Sequence, residues 1–351
     1  MLHNKMKKIN KTYWTSAILI LLVLAVLIAL NFNSDNNMEK TINYESDNSD
    51  LKTLSDGTKY LINPDKIKSG GPPRGGIGVD RGIPALAEKN IKFVSVNESD
   101  KWIKDNELVL ALTYNGVERV YPLQILVWHE IINDNVAGDP ILITYCPLCG
   151  SGIAYERKID LNGEKVETRF GTSGKLYNSN LVMYDEETDT YWQQIDGKAI
   201  IGTLTGQELK EISIDTVVWR DWKKTHKNSE VLSKDTGFSR QYGKDPYGNY
   251  YEDSFLLFDV DSQDDRIHPK TVVFGIEVNG IYKAYRENDL IAEKIINDKI
   301  GGINVRIERE DEGVVKITNL NTGEEIVKER DFWFAWYAFH PETKLYGFAE
   351  N

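Results

Sequence analysis

The sequence predicts a mainly β protein with a few helices, of the α+β class. In it, one unit of strand, turn, strand, helix and strand occurs twice behind an N-terminal transmembrane helix. Three observations predict this class. Short apolar runs are separated by Asn-Gly and Asp-Gly pairs, residues 109–143 resemble residues 273–307, and residues 13–32 are uncharged and largely apolar.

Residues 13–32 form the first predicted element. Twenty helical residues extend about 30 Å, enough to cross the hydrocarbon core of a bilayer. The lysines that precede them predict that residues 1–12 stay in the cytoplasm and that the body is exported. A cleaved signal peptide is the alternative, but no small-x-small cleavage site follows the apolar centre. We therefore favour a single-pass anchor in the cell membrane, with the membrane as a partner.

Residues 33–58 are rich in Asn, Ser and Asp and contain few large apolar side chains. Such a segment cannot offset its ordering entropy by burying apolar surface, so it is predicted to be a flexible stalk. The folded body is then expected to comprise residues 59–351, where hydrophobic residues are frequent enough to form a sizeable core.

The charge balance excludes one class of partner. The chain has 42 Lys and Arg against 54 Asp and Glu, a net charge of -12, which opposes binding to a phosphate backbone. We expect no nucleic-acid partner. Gly171–Lys175 resembles a phosphate-binding loop, but Leu176 stands where the loop needs Ser or Thr to hold magnesium. No nucleotide cofactor is expected.

Local patterns predict the elements of the body. Asn115-Gly116 and Asn279-Gly280 each suit a hairpin turn with positive φ. Pro122 to Ile132 is predicted to be a helix, because Pro122 fits a first turn and apolar residues then recur on one face. A second helix is predicted over residues 287–296. The aromatic run Phe332–Phe339 is predicted to be a core strand near the site.

The duplication is gap-free. Residues 109–143 placed over residues 273–307, an offset of 164, give 11 identities in 35 positions. The matching positions are turn residues and apolar residues, which indicates a repeated structural unit. His129 falls on Glu293, and the cysteine segment has no cysteine counterpart beyond Arg309. Any chemistry of those residues is therefore expected in the first unit alone.

Cys146 and Cys149 directly follow a predicted strand, and Gly150 follows them. Two cysteines at this spacing can direct both sulfurs at one ion, and the glycine allows positive φ in the turn. A redox-active dithiol has the same spacing but usually opens a helix, which the following glycines would break. Metal binding, a disulfide and inert buried thiols all remain open.

His129 is the candidate third ligand, because the predicted helix ends near it and the chain returns beside it. Two thiolates and one imidazole suit copper, while zinc would need a fourth ligand. For Met183, ordinary core packing is the alternative to a ligand role. Further ligand candidates are Met183, His340, His268 and His226.

The sequence also resembles a known family. Tyr145–Ser151, preceded by His129–Asp134, is similar to the pattern of the DUF3179 family, mostly exported proteins of undetermined function. The resemblance extends over about residues 60–345. It implies that the histidine, the cysteine pair, Tyr177, Asn178 and Met183 belong to the shared pattern, and it implies no reaction. The longer loop at residues 74–82 departs from that pattern.

Three functions are compatible with these residues. The leading hypothesis is a membrane-anchored extracytoplasmic protein with one transition-metal site at Cys146, Cys149 and His129, for oxidative chemistry or metal handling. It predicts that the three donor atoms converge and that Tyr177, Asn178 or Met183 lines the same pocket. The alternatives are a thiol–disulfide exchange protein and a non-catalytic module that binds a small molecule or another ligand of the cell envelope.

Overall fold

The computed structural model describes residues 51–71 and 82–349, which are mainly β with few helices. The strands are β1 Lys52–Thr53, β2 Lys59–Tyr60, β3 Lys68–Ser69, β4 Phe93–Ser95, β5 Leu108–Tyr114, β6 Val117–Pro122, β7 Ile131–Val136, β8 Asp139–Cys146, β9 Ser151–Glu156, β10 Lys158–Leu161, β11 Glu164–Glu167, β12 Phe170–Tyr177, β13 Asn180–Asp185, β14 Tyr191–Gln193, β15 Ala199–Ile201, β16 Glu211–Ile212, β17 Asp215–Val218, β18 Glu230–Leu232, β19 Val272–Val278, β20 Ile281–Arg286, β21 Ile295–Ile300, β22 Ile303–Arg309, β23 Val315–Asn319, β24 Glu329–Phe332 and β25 Lys344–Leu345. The helices are α1 Val96–Ser99, α2 Leu123–His129, α3 Trp219–Thr225, α4 Glu287–Glu293 and α5 Trp333–Phe339, with 3-10 turns at Pro64–Lys66, Glu88–Asn90 and Gly248–Tyr251.

Two sheets share one pattern. The first has the order β17-β5-β6-β18-β4, and the second has the order β24-β19-β20-β25. Each unit then continues into its own antiparallel sheet, β16-β9-β8-β7 in the first unit and β21-β22-β23 in the second. A seven-stranded sheet, β1-β2-β15-β14-β13-β12-β3, packs on the first unit, and β10-β11 form a separate hairpin.

The predicted hairpin turns are confirmed. Asn115 and Gly116 have φ values of 48° and 80°, and Asn279 and Gly280 have φ values of 52° and 76°. These angles match the right-handed twist of a two-residue hairpin. The turns join β5 to β6 and β19 to β20 with equivalent registers.

Both predicted helices form, and both end earlier than their apolar patterns suggested. Helix α2 ends at His129 and α4 at Glu293, because Glu130 and Lys294 have φ values of 58° and 59° and turn the chain into the next strand. The predicted core strand over Phe332–Phe339 is wrong: Phe332 ends β24, and the aromatic residues after it form α5. A seven-residue aromatic run buried on several sides carries no periodicity that separates helix from strand.

The repeated unit is longer than the matching sequence. In the first sheet Val109 pairs with Val217, and in the second sheet Val273 pairs with Asp331. Val273 lies 164 positions after Val109, whereas Asp331 lies only 114 positions after Val217. Strand β18 pairs in parallel with β6, as β25 does with β20. The segment β17-α3-β18 is therefore repeated as β24-α5-β25, with Trp222 bonded to Ser229 in one copy and Trp336 to Thr343 in the other.

Each unit packs one hairpin turn against a strand of the other unit. In the first junction, the β8–β9 turn (residues 146–150) packs on β24, where the Phe332 N–H donates to the Cys149 carbonyl at 2.8 Å. In the second junction, the β22–β23 turn (residues 310–314) packs on β17, where the Val315 N–H donates to Asp215 at 3.2 Å. Each turn of one unit thus lies against the added strand of the other.

Among residues 51–71 and 82–349, no helix has the length and apolar character needed to cross a membrane. The predicted cytoplasmic segment (1–12), the anchor (13–32), most of the stalk (33–58) and most of the 74–82 loop lie outside the described residues.

The duplicated Tyr–Asp hydrogen bonds test the scaffold. The Tyr121 hydroxyl donates to Asp134 at 2.7 Å, and the Tyr285 hydroxyl donates to Asp298 at 2.8 Å. We expect Tyr121→Phe to lower the free energy of unfolding by about 1–3 kcal/mol, because it removes a donor from a buried carboxylate. Tyr285→Phe should lower the free energy of unfolding by a smaller amount, since the Asp298 side chain is more exposed than the Asp134 side chain. Urea unfolding of both variants measures this, and equal wild-type stability in Tyr121→Phe would contradict it.

Candidate functional site

The dithiol turn connects β8 to β9. Cys146 ends β8 and pairs with Ser151, and the Cys149 N–H donates to the Cys146 carbonyl at 3.2 Å. Gly150 has a φ of 64°, and a Cβ at this position would lie 2.9 Å from the Phe332 ring. Glycine is required here both by backbone conformation and by the close approach of β24.

Both cysteines are free thiols with almost no solvent exposure, 2% for Cys146 and 0% for Cys149. Their sulfurs converge on one acceptor, because the Cys146 and Cys149 thiols donate to the Ser179 carbonyl at 3.9 and 3.5 Å. The Asn180 amide donates to the Cys149 sulfur at 3.5 Å. Burial, followed by the adjacent Cys146 thiol, raises the pKa of Cys149 well above the usual thiol range.

A buried amide network holds Asn180 in place. Its amide nitrogen also donates to the Gln194 side-chain carbonyl at 2.7 Å, and the Gln194 amide donates to the Thr144 hydroxyl at 2.9 Å. These side chains are buried, and each belongs to a different strand or turn. The donor that faces the Cys149 sulfur is therefore fixed by hydrogen bonds rather than free to rotate.

The structure does not bring His129 to the cysteines. Its Nδ1 lies 2.7 Å from the Pro84 carbonyl and its Nε2 lies 2.6 Å from the Tyr242 hydroxyl, so both ring nitrogens are occupied elsewhere. Burial lowers the pKa of His129 to about 4. The predicted convergence of His129 with Cys146 and Cys149 is wrong: among the described residues these three side chains do not bring their ligand atoms within 4.8 Å of one another, and the His129 ring, at the end of α2, faces Pro84 and Tyr242 instead.

The predicted pocket residues have other roles. The Tyr177 hydroxyl donates to Asp261 at 3.1 Å, and the Asn178 amide donates to the Ala338 carbonyl at 3.2 Å. Met183 lies in the apolar core cluster that also contains the cysteines. The turn between β12 and β13 reaches the thiols through the next residues, Ser179 and Asn180, which were not predicted.

An acidic group lies beside the dithiol turn. Asp331, on β24, is 1% exposed, and neither carboxylate oxygen has a hydrogen-bond partner of normal geometry among the described residues. Burial raises the pKa of Asp331 to about 7, against the opposing effects of nearby Ser151 and Arg330. Burial also raises the pKa of Glu211 to about 8, and Asp331 adds to that shift. The negative charge of Asp331 also contributes to the raised pKa of Cys149.

The second junction has no such group. Val217 occupies the position of Asp331 and packs with Val109 and Val314 in an apolar cluster. Asp215, the counterpart of Glu329, is paired with Lys328 at 3.1 Å. The signal that could have located β24 as a site element is the shared Trp-x2-Trp-x3-His pattern of residues 219–226 and 333–340, which the sequence comparison missed.

A cavity of about 400 Å³ opens beside the dithiol turn, between the two units. Gly150 and Tyr145 form its wall on the turn side, and the Arg330 guanidinium, bonded to Glu287 at 3.2 Å, supplies a positive charge. The remaining lining is mainly apolar or aromatic, as in small-molecule sites. It consists of Glu107, Leu108, Leu123, Gln124, Val127, Gly243, Asp245, Tyr251, Val272 and Phe332.

Fold and site define a duplicated, mainly β protein with a buried dithiol turn where its two units meet. The chain belongs to the DUF3179 family, described as a protein of unknown function, whose family model matches residues 80–325. This match confirms the family resemblance of the sequence. Neither the curated proteins nor the solved structures contain a match to the chain.

Glu130 is a buried carboxyl that the duplication leaves unexplained. It is 7% exposed, and burial alone raises its pKa to about 8. Its counterpart Lys294 has the same backbone conformation but pairs with Asp311 at the surface. Burial therefore favours the protonated form of Glu130.

We expect Glu130→Gln to reduce the loss of stability that occurs as pH rises from about 4.5 to about 8. Because the folded pKa is raised, the proton on Glu130 stabilises the fold fully below the unfolded pKa of about 4.5, and this contribution is lost as pH rises to about 8. Chemical unfolding from pH 5 to 9 should give a shallower decline for Glu130→Gln than for the wild type. Lys294→Gln, the matched surface change, should follow the wild type, and parallel profiles for Glu130→Gln and the wild type would refute the assignment.

Proposed function

We propose that the chain binds a soft transition-metal ion, copper(I), between the sulfurs of Cys146 and Cys149. The observation that carries this proposal is that two free thiols converge on one carbonyl oxygen at a junction whose duplicate has neither cysteine. Thiolate is a soft ligand, and copper(I) accepts the low coordination number that two sulfurs provide.

The loss of His129 as a ligand strengthens the preference for copper(I) over zinc. A structural zinc site needs four ligands and a catalytic one needs three. The described surroundings of the sulfurs offer the Ser179 carbonyl and the Asn180 amide, neither of which is a favoured zinc ligand. The N–H of Asn180 instead suits a thiolate, because it donates to sulfur.

Thiol–disulfide exchange is less well supported. An exchanging cysteine needs an accessible thiolate, and reactive cysteines are partly exposed with lowered pKa values. Cys149 is fully buried, so the disulfide of a partner cannot reach its sulfur. The ligand-binding alternative has a specific observation in its favour, because the cavity beside Gly150 has the volume and apolar lining of a small-molecule site.

The proposed role is therefore metal handling, or oxidative chemistry on a small molecule that enters the cavity beside the metal. We retain the membrane anchor at residues 13–32 and an extracytoplasmic body as part of the proposal. Their support is the uncharged apolar segment and the lysines before it.

Metal content tests the proposal directly. Full-length protein is loaded with copper(I) under reducing conditions, freed of loose metal by a competing chelator, and analysed by mass spectrometry. We expect one copper per wild-type chain and none in the Cys146→Ser, Cys149→Ser variant, because serine removes the soft donors.

Glu310→Ser is the matched control, since Glu310 holds the position of Cys146 in the second junction and is exposed. It should keep the wild-type copper content. Equal copper in the wild type and the double cysteine variant would remove the metal proposal and leave the cavity as the basis for a ligand-binding module.

A further inference from the structure

A second cluster of ligand atoms lies at the first junction and contains neither cysteine. Asp196, Glu329 and His340 each offer one oxygen or nitrogen, and these atoms all lie within 4.8 Å of one another. Within residues 51–71 and 82–349, this is the one group of three His, Cys, Asp or Glu side chains with that spacing. Three separate segments contribute to it: the turn after β14, strand β24 and the residue that follows α5.

The histidine is held with a free nitrogen directed at the carboxylates. His340 is 7% exposed, its Nε2 has no hydrogen-bond partner, and this atom lies 3.7 Å from Asp196 Oδ1. The His340 ring stacks on Tyr282 with the ring centroids 4.1 Å apart, which fixes its orientation. A buried polar atom without a partner costs free energy, so its retention here points to a ligand.

Glu329 is similarly incomplete. Its Oε2 is buried and has no hydrogen-bond partner of normal geometry, although the Asp331 carboxyl lies close enough to interact with the Glu329 side chain. The neighbouring cations on the chain do not supply one, because Lys328 pairs with Asp215 and Arg330 pairs with Glu287. Successive side chains of a strand point to opposite faces, so Lys328 and Arg330 lie on the other face from Glu329.

The duplicated unit shows what the same positions do without such a cluster. His226 is the counterpart of His340, but its ring stacks on Trp222, whereas the His340 ring is tilted against Trp336 and stacks on Tyr282. Its Nε2 lies 4.0 Å from one carboxylate, Glu118, and its Nδ1 bonds with Thr225. Asp215, the counterpart of Glu329, is neutralised by Lys328. The histidine and carboxylate of the second junction therefore have partners within the protein, whereas their counterparts at the first junction keep unpartnered atoms.

We propose that Asp196, Glu329 and His340 bind a divalent first-row transition ion, such as Mn²⁺, at a site separate from the cysteines. One imidazole and two carboxylates combine the ligand types that such ions accept, and a pure carboxylate preference for magnesium or calcium is less consistent with the histidine. Three protein ligands leave coordination positions open for water or a substrate.

The environment favours a bound cation. The His340 ring is buried, and its unpartnered Nε2 lies within 4.8 Å of ligand oxygens of both Asp196 and Glu329. Asp331, Glu211 and Asp196 surround the Glu329 carboxyl, so this part of the junction concentrates acidic side chains that a cation would pair with. The Asp196 side chain is 34% exposed and provides the access from solvent.

Mn²⁺ titration of the full-length protein, followed by calorimetry and by the electron paramagnetic resonance signal of free Mn²⁺, tests the proposal. We expect one Mn²⁺ per wild-type chain and at least tenfold weaker binding in Glu329→Gln and His340→Ala, since even outer-shell partners of a metal contribute 10–100-fold. His226→Ala, the matched control in the other unit, should bind within about twofold of the wild type.

Two further comparisons keep the result unambiguous. Glu329→Gln preserves shape, so its thermal unfolding should show a folded protein even if His340→Ala is destabilised. The Cys146→Ser, Cys149→Ser variant should bind Mn²⁺ as the wild type does, which separates this site from the copper proposal. Failure of the wild type to bind Mn²⁺ at millimolar concentration, or equal binding by Glu329→Gln and wild type, overturns the assignment.

Discussion

The rest of the structure depends on one constraint: a hairpin turn of each unit packs against a strand of the other unit, β24 or β17. At one junction the Phe332 N–H of β24 donates to the Cys149 carbonyl in the β8–β9 turn, and at the other the Val315 N–H, directly after the β22–β23 turn, donates to the Asp215 side chain on β17. Strand β24 approaches so closely that residue 150 has to be glycine. The position of the thiols, the acidic group and the cavity all follow from this approach.

The duplication separates scaffold from site without any other sequence. Groups present in both units, such as the Tyr–Asp hydrogen bonds and the tryptophan of each added helix, maintain the fold. Groups confined to one junction, Cys146, Cys149 and Asp331, stand where the other junction has Glu310, Gly313 and Val217. A buried carboxyl without a normal hydrogen bond destabilises a fold, so its presence at one junction alone indicates function.

The sequence predicted what depends on local pattern and missed what depends on tertiary contact. Asn-Gly pairs predicted the hairpins correctly because positive φ is a property of those residues. The helix before His129 was also predicted, but its end was not, since Glu130 adopts positive φ only under tertiary constraint. Because the end of the helix was misplaced, the predicted neighbours of His129 were wrong. Asp196, Glu329 and His340 come from three distant segments, and no spacing in the sequence relates them.

We infer that the buried polar groups of the first junction lower the stability of the protein, and that the second junction, which lacks them, carries no such cost. The most direct measurement is the free energy of unfolding of Asp331→Val at pH 8, which gives β24 the residue found at Val217. We expect a gain of about 1–3 kcal/mol, because a buried carboxyl whose oxygens have no hydrogen-bond partner of normal geometry is replaced by an apolar side chain. A loss of stability comparable to that of Val217→Asp would contradict it, because Asp331 would then be a structural group.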